Sequence, residues 1–170
     1  MYPHFEKYEV AHREACVEIF RSNVPIYFRD HEFGDFLGFI DNSSGPYFVV
    51  TTNGDAANGE IVACGGFGVR TGSEVADLCW GMVDAAHHRN GLGEFLLLAR
   101  MYQILKEPGV RHIRLGTCQL TEGFFHRYGF ETRNSVPDAE GLDDVQMWME
   151  LTDENRRLID SRWAETSNDI

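Results

Sequence analysis

Residues Ala86 to Met101, AHHRNGLGEFLLLARM, bring two histidines, an arginine, an asparagine and two glycines to the start of a long apolar segment. Together these residue types can bind an anion. The first four N–H groups of a helix have no intrahelical partner, and the aligned peptide dipoles leave partial positive charge there. Gly91 and Gly93 let the backbone approach an anion without a Cβ in the way, and His88, Arg89 and Asn90 offer donors just upstream. Two common phosphate loops do not fit. A Walker loop needs GxxxxGK followed by Ser or Thr, which is absent, and the dinucleotide fingerprint needs a third glycine where Leu96 stands. A glycine connection that only turns the chain is the plain alternative.

The seven histidines also raise the question of a metal. His87 and His88 are adjacent and so point differently, and no HExxH, HxH or Cys/His ligand spacing occurs, so no metal is expected.

The turn must be carried by a fold that 170 residues can build, with 43% hydrophobic and 12% aromatic residues, which suits one soluble domain. Asp and Glu total 27 against 15 Lys and Arg, so the chain as a whole should repel nucleic acid and anionic membrane and suit a cationic partner. Cys16, Cys64, Cys79 and Cys118 form no CxxC pair and read as reduced core thiols. No apolar run has the length of a membrane span or the form of a signal peptide, which predicts a cytoplasmic protein. The glycosylation triplet Asn42-Ser43-Ser44 is discarded on the same ground.

Hydrophobic spacing then orders the elements. A short leading strand precedes a helix over Ala11 to Ser22, and Phe33, Phe36, Leu37 and Ile40 space a second helix that stops at the turn residues from Asn42 to Gly45. Tyr47–Thr52 and Glu60–Val69 read as antiparallel strands joined by two Asn-Gly steps, and Glu74 to Val83 is a third strand feeding the glycine turn. A largely buried helix runs from Leu92 to Glu107 with a polar stripe of Arg100, Gln103 and Glu107, ended by Pro108-Gly109. RHIRLGTC is a strand, TEGFFHRYG a short helix with Thr121 as N-cap, FETR a strand, and DVQMWMEL a last strand with alternate residues facing inward. Residues 152–170 form a polar tail with spacing for one more helix, anchored by Leu158 and Trp163. The order β-α-α-β-β-β-α-β-α-β-β predicts an α/β (α+β) domain over 1–151, a mixed central sheet of about six to seven strands with helices on both faces.

MVDAAHHRNGLGEFLLLARM resembles the acetyl-CoA signature of the GNAT N-acetyltransferases: a strand ending in Val, then Arg or Gln-x-x-Gly-x-Gly or Ala opening a helix. Val83, Gly91 and Gly93 fall in register, and His88 stands where Arg or Gln is usual. GFFHRYGFE is similar to the family's a-x-x-FY-e-x-x-GF segment at the expected distance, and the element order matches the GNAT acyl-CoA N-acyltransferase fold from about Phe5 to Leu151. The resemblance implies an N-acetyltransferase that moves an acetyl group from acetyl-CoA to a primary amine of a small molecule or peptide, by direct attack in a ternary complex. A non-catalytic acyl-CoA-binding module of the same fold is the alternative.

The resemblance also assigns roles. The pyrophosphate lies on His88, Arg89, Asn90 and Gly91 and on the first helical residues Leu92, Gly93 and Glu94, while backbone N–H near Met82 and Val83 stabilises the oxyanion. Asp77 matches the acid of the a-E-L-x-x-l-x-V strand and is either the base that deprotonates the amine or a structural carboxylate. Phe125 contacts the coenzyme at the position where the family usually has a tyrosine that protonates the leaving thiolate. Tyr128, three residues on, faces elsewhere on the helix. His126 or Cys118 could lie near the sulfur instead, or His126 could be a solvated helix residue. Asp30, Glu32 and Asp35, near Tyr27, Phe28, Phe33 and Phe36, would line the acceptor wall and favour a cationic amine, or form the solvated side of a helix. A homodimer is compatible with this reading.

Overall fold

The computed structural model describes residues 3–42, 45–52 and 59–168. The first Asn-Gly step and the asparagine of the second fall on 53–58, and the triplet serines on 43 and 44, outside the described residues. The elements are β1 (Pro3–Lys7), α1 (Arg13–Ser22), α2 (Phe33–Asn42), β2 (Tyr47–Thr52), β3 (Glu60–Val69), β4 (Val75–Val83), α3 (Leu92–Ile104), β5 (His112–Thr117), α4 (Gln119–His126), β6 (Glu131–Val136), β7 (Asp144–Glu150) and α5 (Asp153–Asn168). They build a seven-stranded sheet in the order β1-β2-β3-β4-β5-β7-β6. Every pairing is antiparallel except β4 with β5.

Two apolar clusters cover the two faces. Cys16, Val17, Ile19 and Phe20 of α1 and Phe36 and Ile40 of α2 pack with Tyr47, Val49, Cys64 and Met82 of the sheet. Leu97, Leu98, Met101 and Ile104 of α3 pack with Leu78, Ile113, Leu115, Met147 and Met149 on the opposite face. With cover on both sides, all six residues of β2 are buried, whereas β7 buries only alternate residues. Arg13 pairs with Asp41 through Nε to Oδ1 at 2.6 Å and Nη2 to Oδ2 at 2.9 Å, which ties α1 to α2.

The parallel seam is short. Val75–Leu78 pair with His112–Leu115, after which β4 stays with β3 while β5 continues along β7. The divergence coincides with a bulge: Cys64 opposes Met82 but Gly66 opposes Cys79, so β4 carries one extra residue, and Trp80 has a φ of 44°. The bulge exchanges the strand's faces. Ala76 and Leu78 pack toward α3, whereas Trp80 and Met82 pack toward α1 and α2.

Four sequence expectations change. α3 ends at Ile104 rather than Glu107. α4 starts at Gln119 with Cys118 as N-cap, and Thr121 sits inside its first turn bonded to the Cys118 carbonyl. The tail is the sixteen-residue helix α5, held by Ile159 and Trp163 rather than by Leu158, which is 41% exposed. Trp163 stands against Phe95 and Tyr102 of α3, with ring centroids at 5.4 and 5.8 Å. Arg100, assigned to a polar stripe, is only 4% exposed.

Phe36 is fully buried and stacked on Phe20 at 5.2 Å. Phe36→Ala is expected to cost about 3–5 kcal/mol, measured by urea unfolding.

Candidate functional site

The divergence of β4 from β5 opens a cavity of about 970 Å³. It reaches from the glycine turn and α3 at one end, between the two strands, to Tyr27, Phe28, Arg29 and Glu32 ahead of α2 and to the segment 142–146 at the other.

The turn explains its own sequence. β4 ends at Val83, and a single 3-10 turn, Ala85–His87, leads to His88. The Nδ1 of His87 lies 2.9 Å from the Asp84 carboxylate. The Nε2 of His88 meets the Val83 carbonyl at 2.9 Å; a carbonyl only accepts, so the ring's proton sits on Nε2. His88 therefore braces the end of β4, with its ring edge-on to Tyr27. Arg89 at φ 64° and Gly91 at φ 80° are both left-handed, and Gly91 is the N-cap of α3 without a side-chain cap. Left-handed residues alternating along such a turn fold successive N–H groups into a concave anion cradle, continued by the uncapped N–H groups of Leu92, Gly93 and Glu94. A left-handed arginine costs about 1–2 kcal/mol, strain of the sort that collects at ligand-holding turns. Gly93 differs from Gly91. A Cβ there would meet the Phe124 ring at 3.7 Å, an ordinary contact, so alanine fits.

Met82 and Val83 line the cavity, and the Val83 carbonyl also accepts from the buried Asn23 amide at 2.9 Å. Phe125 lines it too, set edge-on against Phe124 and Phe130. Thr117, Cys118 and Thr121 form a small polar group in the cavity wall, with the two threonine hydroxyls in contact. Tyr128 stands at the mouth beside Glu94, its hydroxyl pKa raised by burial and by that carboxylate.

Two candidates lie elsewhere. Asp77 does not line the cavity: its carboxylate takes both Nε and Nη2 of Arg114, its register partner on β5, the second contact at 2.8 Å. Arg114 and Arg133 both lie over the Trp148 ring, at 5.3 and 4.5 Å, so this ion pair belongs to an aromatic and basic group on the sheet. His126 is likewise outside the cavity. Its Nδ1 meets the Phe130 carbonyl at 2.9 Å and its Nε2 faces Thr132 and Glu122. Asp77 is thus held in an ion pair on the sheet, and His126 braces the end of α4.

At the end of the cavity ahead of α2, Tyr27, Phe28 and Glu32 line it, while Asp30 and Asp35 are exposed and Phe33 and Phe36 pack around Phe20. The sequence reading missed Arg29. Its side chain, 11% exposed, pairs with Asp138 at 2.9 Å, lies 3.6 Å from Asp144 and 3.9 Å from Glu32, and donates to the Leu142 carbonyl. It thereby ties the segment before α2 to the β6–β7 connection. Only the excess of acids around 138–144 hinted at such a partner. Among the described residues, the carboxylates lining the cavity are Glu32, Glu94, Asp143 and Asp144, and no cluster of three or more His, Cys, Asp or Glu could hold a metal. No helix is long and apolar enough to cross a membrane.

Because Asp77 and Arg114 are about one-third exposed, their pair is worth less than about 1 kcal/mol. Asp77→Asn should therefore leave coenzyme A affinity unchanged in calorimetry and shift the unfolding midpoint only slightly; a lost coenzyme site would contradict this placement.

Comparison with known proteins bears on the family and the fold. Residues 13–130 match the profile of the Acetyltransferase (GNAT) family. No curated protein matches the sequence. Among solved structures, a protein assigned as a phosphinothricin N-acetyltransferase superposes with a TM-score of 0.70 at 21% identity, covering 88% of this chain and 99% of that one. The ribosomal-protein-S18-alanine N-acetyltransferase from Escherichia coli gives 0.66 at 20% identity, covering 88% and 94%. An aminoglycoside 6'-N-acetyltransferase complexed with coenzyme A gives 0.67 at 14% identity, covering 88% and 97%. At these identities the structures show a shared fold, and the profile, which spans more than half of the sequence, shows that the chain belongs to the acetyltransferase (GNAT) family.

Proposed function

We propose that this protein transfers an acetyl group from acetyl-CoA to a primary amine by direct attack within a ternary complex, in the cytoplasm. The observation that carries the reading is the left-handed turn of Arg89 and Gly91 opening into a cavity that passes between β4 and β5. The coenzyme A in one structure of similar fold supports the choice of cosubstrate. In this reading the pyrophosphate rests on the cradle and the N-terminus of α3, and the pantetheine arm lies in the cleft, where β4 past Leu78 has lost β5 as a hydrogen-bonding neighbour. Backbone N–H near Met82 and Val83 polarises the thioester carbonyl.

The amine enters from the opposite end. Glu32, Asp143 and Asp144 there give the mouth an acidic rim, interrupted by Arg29, which suits an acceptor that arrives as a cation. A primary amine with pKa about 10.4 must lose a proton before it attacks. With Asp77 held by Arg114, that proton leaves through cavity water toward the acidic rim. The rate should then rise with pH in step with the acceptor's own ionisation, and acceptors of lower pKa should reach their plateau at lower pH.

A second reading, an acyl-CoA-binding module without chemistry, is favoured by one feature: Phe125 offers no hydroxyl to the leaving thiolate. Release of free thiol from acetyl-CoA across a panel of amines separates the two. Turnover on at least one amine is expected; tight acetyl-CoA binding without turnover on any would establish the second. Gly91→Glu would force a side chain into the left-handed position and a negative charge into the cradle, and should abolish coenzyme A binding in calorimetry while the protein stays folded. Unchanged affinity would remove the pyrophosphate assignment.

A further inference from the structure

Arg100 is a buried cation on the inner side of α3, and no carboxylate among the described residues pairs with it. Its Nε donates to the Leu96 carbonyl at 3.2 Å and its Nη1 reaches the Gly66 carbonyl at 3.4 Å. Nη2 has no hydrogen-bond partner among the described residues, and the side chain lines the cavity. Burial lowers the guanidinium's pKa, and the titratable groups that act on it electrostatically are Cys79 on β4 and, from the cluster under α1 and α2, Tyr47 and Cys64. The backbone above it carries no Cβ. One added at Gly81 would lie 2.6 Å from Nη2, and one at Gly65 would lie 3.0 Å from Nη1.

Burying a charge without a counter-charge is costly, so a guanidinium that no described carboxylate neutralises is suited to an anion brought by a ligand. Position identifies which anion. Arg100 lies nine residues beyond the N-cap Gly91, about 13 Å along the helix from the cradle, with its side chain against the bulge where β4 leaves β5. That rise is comparable to the reach of a phosphopantetheine arm from its phosphate. Phe125, which has no proton to give, lines the same cavity.

We propose that Arg100 is the counter-charge for the departing coenzyme A thiolate, acting where a proton donor is missing at Phe125. The inference rests on the coenzyme A reading above. Attack of the neutral amine forms the C–N bond, and collapse of the tetrahedral intermediate breaks the C–S bond with its electron pair passing to sulfur. The ammonium proton goes to cavity water. The sulfur leaves as a thiolate paired with the guanidinium and takes up a proton from solvent after release. A planar guanidinium with an unused Nη2 can hold this anion without giving up a proton.

The test needs no acceptor. The ultraviolet absorbance of the thiolate is followed against pH in the protein–coenzyme A complex, with the desulfo-coenzyme A complex as the baseline that removes the protein's own cysteines. The bound thiol is expected to ionise about one pH unit or more below free coenzyme A. Arg100→Met should abolish that shift, and Gly81→Ala, which crowds Nη2 without removing the charge, should reduce it. A thiol that ionises in the wild-type complex at or above its free value overturns the proposal, as does an equal shift in wild type and Arg100→Met. Should Arg100→Met fail to fold, the wild-type and Gly81→Ala curves decide alone. Coenzyme A bound with an unshifted thiol overturns only this inference, whereas no binding in calorimetry overturns the coenzyme A reading with it.

Discussion

The structure depends on the extra residue in β4. At Trp80 and Gly81 the strand takes one more step than β3, and its faces exchange. Ahead of the bulge β4 and β5 form a parallel seam that closes the sheet; beyond it, their backbone groups no longer meet. A sheet that loses a ladder in its middle would normally fall apart there. Here β3 continues to hold β4 while β7 holds β5, and the helices on both faces keep the two halves in place. The result is a cleft lined by unpaired strand edges, so that an extended ligand with amide groups can take the place of the missing strand.

Charge is distributed around that cleft against the trend of the chain. With an excess of 12 acidic residues the protein has a negative field at long range. Three arginines act locally. Arg89 sits in the anion turn, Arg100 lies beneath the bulge, and Arg29 gathers the carboxylates of the β6–β7 connection. Each is held by geometry: a left-handed backbone, three glycines, or a ring of acids. A cavity with fixed cations inside and carboxylates at the mouth near Arg29 suits an anion at one end and a cation at the other.

Much of this was legible in the residue pattern. The limits of β2 and β3, the order of the elements and the turn at Gly91 follow from period-two and helical spacing and from glycine, because those signals are local and each residue reports on its near neighbours. What depends on distant parts of the chain was not legible. Asp77 is paired with Arg114, 37 residues away and reached through strand register. Thr121 has the chemistry of an N-cap, yet the cap lies three residues earlier at Cys118. Arg29 had little sequence signal of its own because, Glu32 apart, its partners are more than a hundred residues on.

Sequence by itself determined which segments are strands and helices, that one strand must run into a glycine turn at a helix mouth, and that Phe125 brings no proton to the site. Tertiary structure decided where β4 leaves β5, which carboxylates are already paired, and that Arg100 faces inward. The division follows from physics. Backbone conformation and amphipathic spacing are set over a few residues, whereas the surroundings of a charge are set by whatever the folded chain brings against it.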